Sequence, residues 1–381
     1  MRVLHPRNPR RTLPESLPLA EVRNLAAFGG TSRSSDSRRI PPFTHRSPLV
    51  STTPHPQRAR AITLLVLATL VWGLSFPLIK SIGLIHGALL PGSSTWLVTA
   101  CTVGPRFLLA GLVLLLWRWR TVHSVTPREW KQGIGLGIAC ALGLLFQVDG
   151  LQRTAASVSA FLTQLYAILI PLFVAWRTRR RPTTAVLAAC VLVVAGVGLL
   201  AEIDFRAFRL GRGELETLLS SLFFMGQILW LERREFAGNS VTRTTTVMFL
   251  VLGFGYGVVA LFLAPNPRSL FVLGQSPAWV GLTLVLTAAC TLFCFTVMNA
   301  WQPKISATEA GLIYTLEPVS ASALALFLPA GLSVWTGIAY ANEKLTWHLL
   351  AGGALLTVAN VLVQLPRGMF SRHRPVAAAA P

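Results

Sequence analysis

The chain has 381 residues, of which 53% are apolar and 13% charged, about half the charged share of a soluble domain. That balance excludes an ordinary soluble enzyme and points to a polytopic membrane protein. The net charge of +20 would suit nucleic acid, but the arginines sit in a tail and in short gaps between apolar runs, not on one basic face, so a nucleic-acid role is excluded.

Residues 1–60 hold eleven Arg and three acids, show no apolar periodicity, and read as a disordered Pro/Ser/Arg-rich tail. No apolar core region follows the first arginines, which argues against a secretory signal. The same composition suits an organellar transit segment, and a translation start near Val50 would remove most of it. In each case the fold begins near Ala61. Ten apolar segments then follow, at 62–83, 95–117, 132–150, 154–176, 183–201, 213–231, 244–264, 279–300, 305–328 and 346–365, each long enough or nearly so to cross a bilayer.

The gaps set the orientation. Alternate gaps carry Arg118, Arg120, Arg128 and Lys131, then Arg177, Arg179, Arg180 and Arg181, then Arg233, Arg234 and Arg243, then Lys304. The other gaps lack basic residues or balance them, as Glu202 and Asp204 do between 202 and 212. This alternation predicts both termini on the cytoplasmic side and an even number of spans. Ten spans divide into five and five, and an odd-numbered repeat inserts inverted. The stretches RTAASVSAFLTQLYAILIPLF (153–173) and KISATEAGLIYTLEPVSASAL (304–324) support such a repeat. Each starts with a basic residue and small residues, then has an aromatic Tyr and a Pro. The predicted fold is all-α and integral to the membrane, ten transmembrane helices in two inverted five-helix repeats at 61–202 and 213–366, with a cytoplasmic tail at 367–381.

An ionisable group inside a span costs at least about 2.5–3.5 kcal/mol at the centre, so each one asks for a partner, water or a function. Glu317 lies about twelve residues into the ninth segment, roughly 18 Å along a helix. Ala310, Tyr314 and Glu317 share a face, and Pro318 frees the carbonyl of Tyr314. Glu317 reads as a pathway group that takes a proton or meets a cation, or as a structural counter-ion. Arg106 follows Pro105; a span starting at Trp96 places it deep, one starting at Pro105 places it near the edge. Lys80 ends the first segment on a stripe with Trp72 and Phe76, beside Pro77, and reads as a pathway cation or a snorkelling anchor. Glu216, Ser220 and Gln227 form a polar stripe on the sixth segment. Gln147, Asp149, Gln164 and Tyr166 add polar groups on the third and fourth, each suited to interhelical hydrogen bonds. Pro77, Pro171 and Pro318 are the expected helix breaks. Gly133, Gly135, Gly137, Gly196 and Gly198 suit close helix packing.

The five cysteines, Cys101, Cys140, Cys190, Cys290 and Cys294, lack CxxC spacing and read as packing residues rather than a metal site or disulfide framework. Neither a phosphate-binding GxxxxGK[ST], an HExxH nor a G-x-S-x-G occurs. No cofactor, metal or catalytic set is therefore expected.

Five stretches, LLVLATLVWGLSFPLIK (64–80), RFLLAGLVLLLW (106–117), GLQRTAASVSAFLTQLYAILIPL (150–172), EAGLIYTLEPVSASALALF (309–327) and NEKLTWHLLAGGALLTVANVL (342–362), together resemble the drug/metabolite transporter superfamily, in particular its EamA-type members. The resemblance implies a ten-helix inverted-repeat carrier of the inner membrane, exporting or exchanging amino acids, metabolites or drugs through a cavity between the halves. Trp72, Lys80, Arg106, Tyr166, Tyr314 and Glu317 fall on segments that would border that cavity. The chain departs from the family at 328–341, where LPAGLSVWTGIAYA lengthens the approach to the next acidic residue. This piece is expected outside the membrane, as a lid or a short interfacial helix with Trp335 and Tyr340 as belt residues. The family reading is a secondary transporter of a small amino-acid-like or amphipathic solute, with a proton as candidate coupling ion. The alternatives are a sensor or structural subunit and, more remotely, an enzyme acting on lipid. Oligomeric state is not readable.

Overall fold

Proline and its missing N–H decide where the first apolar run bends. In the computed structural model α1 (His55–Gly73) ends at Leu74 and α2 (Ser75–Leu89) continues after it. Pro77 is the third residue of α2, so the carbonyl of Gly73 has no ladder partner, and the Leu74 N–H turns back to Val71 O at 3.1 Å. The structure describes residues 55–364 apart from 201–209 and residues 123, 178, 180 and 306. The expected tails, and the gap acids Glu202 and Asp204, lie outside the described residues.

The remaining helices run in chain order: α3 (Thr95–Trp117), α4 (Trp119–Val122), α5 (Pro127–Leu151), α6 (Ala156–Thr163), α7 (Tyr166–Arg177), α8 (Thr184–Leu200), α9 (Arg212–Leu231), α10 (Val241–Leu263), α11 (Ser269–Gln275), α12 (Pro277–Val285), α13 (Cys294–Trp301), α14 (Ala307–Tyr314), α15 (Leu316–Ala325), α16 (Leu328–Thr336) and α17 (Trp347–Gln364). The described residues contain no strand. Among the described residues, each of the ten apolar segments is helical, some with breaks. Six helical stretches are long and apolar enough to cross a membrane, and a seventh results if α14–α15 and α16, bent by 56°, count as one span. α8 and α17 are shorter apolar helices, and α9 opens with Arg212, Glu214 and Glu216.

Local chemistry fixes several ends. Ser94 caps α3 through Leu97 N, and Thr126 with Glu129 forms a capping box at α5. Gly337, at φ 71°, takes the left-handed turn that ends α16. The long helices pack through small residues. A Cβ on Gly253 of α10 would lie 2.6 Å from the Leu108 backbone of α3, and one on Gly133 of α5 would lie 2.6 Å from Val247 of α10, so both backbones approach as closely as glycine allows.

Candidate functional site

Four interrupted helices meet at one central cavity of about 700 Å³, solvent at its mouth included. Two of the breaks lie three residues before a proline. In the ninth segment the helix breaks at Thr315, and Pro318 is the third residue of α15, the position Pro77 holds in α2. In the fourth segment the break falls at Gln164 and Leu165, between α6 and α7. Pro171, the expected break there, lies inside α7 instead. The fourth interruption is a π-helical stretch, Leu286–Phe293, between α12 and α13. The Trp72 indole N–H enters that stretch and donates to Cys290 O at 3.0 Å, a side chain inserted into the ladder of the kind that distorts helices.

Of the expected site residues, Trp72, Arg106, Tyr166, Gln227, Tyr314 and Glu317 line the cavity. Gln164 stands behind it, 1% exposed, and its Nε2 donates to Glu317 Oε2 at 2.8 Å. Glu317 sits in the first turn of α15, where the unsatisfied N–H groups of the helix favour a carboxylate. Tyr314 Oη donates to Gln302 Oε1 at 2.8 Å. Aromatic rings continue from the cavity into the core, with Tyr314–Trp72 centroids at 6.2 Å, Trp72–Phe295 at 5.2 Å and Phe295–Phe107 at 5.5 Å. Arg106 is deep, 3% exposed, because α3 begins at Thr95 rather than at Pro105.

Lys80 and Glu216 lie away from the cavity. The Lys80 ammonium donates to Leu151 O at 2.7 Å and Thr154 O at 2.9 Å, satisfying carbonyls left open where α5 ends. Glu216 faces Arg212, one turn earlier, at 2.6 Å. Both belong to a polar layer formed by the α5–α6 turn, the start of α9 and the segment before α17. In that layer Arg212 pairs with the fully buried Asp149 at 2.7 Å, and Thr154 Oγ1 donates to Glu214 at 2.8 Å. Glu343 accepts from Ala156 N at 2.7 Å and from the Ser157 hydroxyl, capping α6. The segment expected as a lid or interfacial helix leads up to this layer: α16 covers its first part, and Glu343 follows it.

At the opposite end, that of the basic gaps, a second cavity lies between α7, α9, α14 and α17. It shares Tyr166, Ile228 and Tyr314 with the central one, so these three side chains stand where the two adjoin. Ser75, Gln147, Thr163, Phe224, Cys290 and Phe295 also line the central cavity and were not singled out as pathway residues from the sequence. Gln147 was read only as an interhelical hydrogen-bonding group, and it does donate to Thr163 Oγ1 at 3.1 Å. Phe224 and Phe295 carry no sequence signal that separates a cavity wall from a core. Among the described residues, no group of three His, Cys, Asp or Glu is placed to hold a metal ion.

The class these features define is a multi-pass helical membrane protein with a solute-sized, partly charged cavity at its centre. Residues 59–201 match the EamA-like transporter family. That stretch carries an EamA-like domain, and together with the relative below it supports a membrane transporter, consistent with the drug/metabolite transporter superfamily. It is 26% identical over 311 residues to an uncharacterized transporter of Archaeoglobus fulgidus, covering 79% of this chain and 84% of the relative. A crystal structure 18% identical to the chain superposes with a TM-score of 0.52 over 80% of this chain and 96% of the other, a likeness of fold.

Proposed function

We propose that the protein is a secondary transporter that exports or exchanges a small amino-acid-like or amphipathic solute across the inner membrane by alternating access. The observation that carries this reading is the Gln164–Glu317 contact at 2.8 Å, made where two broken helices meet at the central cavity. In the stretches beginning at Arg153 and Lys304, Gln164 and Thr315 occupy the same register, and both are break positions. Paired interruptions at corresponding places are the mark of inverted-repeat carriers, whose broken helices build the solute site. The family match ends at residue 201, where the first five segments end. Ten spans in two inverted repeats, with both termini cytoplasmic, follow from this reading and from the alternating arginines.

The state is sealed on the outer side by the Asp149–Arg212–Glu216 layer, while Tyr166, Ile228 and Tyr314, which line both cavities, narrow the way to the cytoplasmic chamber without closing it. Rocking of the halves would open the first and close the second. A proton is the candidate coupling ion, carried by Glu317. The test is counterflow in liposomes, using a labelled panel of amino acids, small peptides and amphipathic amines, with and without a pH gradient. Saturable flux of one solute class is expected. A well-folded protein that moves none of them would favour a sensor or structural subunit.

A further inference from the structure

Two half-helices from different halves of the chain are bonded to each other at both ends. α6 starts in the outer polar layer and ends at the cavity, with Gln164 as its C-terminal cap. α15 runs the opposite way, from Glu317 in its first turn to Ala325 at its end. At the cavity Gln164 donates to Glu317 at 2.8 Å. At the outer end Glu343 joins the two. Its Oε1 accepts from Ala156 N at 2.7 Å and from Ser157 N at 3.4 Å, and its Oε2 accepts from the Ser157 hydroxyl. Its own backbone N–H donates to Ala325 O at 2.9 Å, one of the carbonyls that a helix end leaves open. α6, Glu343 and α15 therefore form a closed frame, whose α6 side has eight residues and is about 12 Å long at 1.5 Å per residue.

The α6 side of the frame is stiff. All of its residues but Val158 are buried, and a Cβ on Gly353 of α17 would lie 2.6 Å from the Phe161 ring, so α17 packs on α6 without slack. Ala155, which precedes α6, makes no side-chain cap, and the open N–H groups of a helix start favour a carboxylate. Glu343 supplies that cap from a distant part of the chain. It does not line the cavity, so any effect it has there passes through α6. We propose that Glu343 is a positioning residue of the transport pathway: it seats α6 on α15, holds Gln164 against Glu317, and is released when the outer side opens. The two ends of the frame are then coupled, because α6 is a single packed element that both ends bias. The proposal rests on the transporter reading and adds to it a link between the outer layer and the cavity.

The experiment uses the purified full chain in liposomes, its native cysteines replaced and Ser75→Cys placed in the cavity lining. A membrane-impermeant thiol reagent is applied from each side. Glu343→Gln keeps the side-chain shape but exchanges a charge-assisted cap for a neutral one, and is expected to raise the outer-side reaction rate about tenfold. The rate from the side of the basic gaps should stay close to wild type, whereas a loosened fold would raise both. Glu343→Asp, one methylene shorter, should fall between wild type and Glu343→Gln, and answers the same question should Glu343→Gln not fold. Gln164→Ala should also raise the outer rate. The double variant Gln164→Ala, Glu343→Gln should react within about twofold of the faster single variant, because a frame cut at one end no longer holds the other; independent contacts would multiply their effects. An outer rate unchanged by both Glu343 substitutions, or fully multiplied effects, overturns the frame. That result beside normal counterflow leaves the transporter reading intact. A wild-type protein that moves no solute, yet shows the coupled change in outer rate, overturns the transporter reading and spares the frame.

Discussion

Replacing Glu317 by Gln is expected to reduce solute flux by about 10- to 100-fold while leaving the protein folded. The substitution keeps the shape of the side chain and leaves Gln164, 2.8 Å away, with an amide oxygen to donate to. What it removes is the ability to ionise. A hydrogen bond to a charged group contributes about 1.5–3 kcal/mol, and each 1.4 kcal/mol is a factor of ten, which sets the range. The carboxylate sits at the start of α15, so the helix terminus favours it only modestly, and its loss should scarcely change the melting temperature. If Glu317 also carries the coupled proton, wild-type flux responds to a pH gradient and the residual flux of Glu317→Gln does not. Counterflow at two pH values measures both effects. A variant that transports at the wild-type rate with the wild-type pH response would place Glu317 among the residues that merely hold the bundle together.

The second large effect belongs to the opposite barrier. Arg212→Ala strands Asp149, whose side chain is 0% exposed and which otherwise has Arg153 at 3.8 Å. Breaking a fully buried pair costs about 3–5 kcal/mol and a surface pair about 1 kcal/mol or less. Arg212 is half exposed, so solvent screens the pair and the effect falls between these cases, roughly a tenfold shift away from the sealed arrangement. The readout is a faster reaction of a cavity thiol from the outer side. The double variant Asp149→Asn, Arg212→Ala removes the stranded charge. It should recover thermal stability without restoring the seal, which separates an effect on the barrier from an effect on the fold.

Much of this architecture is legible in the sequence, for physical reasons that also mark where legibility stops. The ten apolar segments read as helices because a bilayer demands long apolar runs with internal hydrogen bonds, and among the described residues each is helical. Pro77 and Pro318 announce two of the breaks because a missing N–H must leave a carbonyl unpaired. The break at Gln164 and Leu165 carries no such mark: neither proline nor glycine stands there, and Pro171 is absorbed within α7. Depth is harder than presence. Arg106 could be deep or at an edge until the cap at Ser94 fixed the start of α3. Direction around a helix is harder still. Lys80 and Glu216 share segments with cavity residues, yet one turns to the open carbonyls of the α5–α6 turn and the other to an arginine one turn away. Phe224 and Phe295 were hidden because an aromatic wall and an aromatic core have the same composition. The frame that Glu343 closes between α6 and α15 is a property of the assembled bundle alone.

The account stands or falls on whether the Glu317 cavity is a water-filled route reached from one side at a time. The most direct measurement places a single cysteine at Ser75, a half-buried residue of the cavity lining, in a chain whose five native cysteines are replaced. A membrane-impermeant, positively charged thiol reagent is then applied from each side in turn. The account predicts reaction from the side of the basic gaps, protection by a transported solute, and reaction from the outer side once Arg212→Ala is added. A folded protein whose Cys at position 75 stays unreactive from both sides, with and without Arg212, would show a sealed core and contradict it.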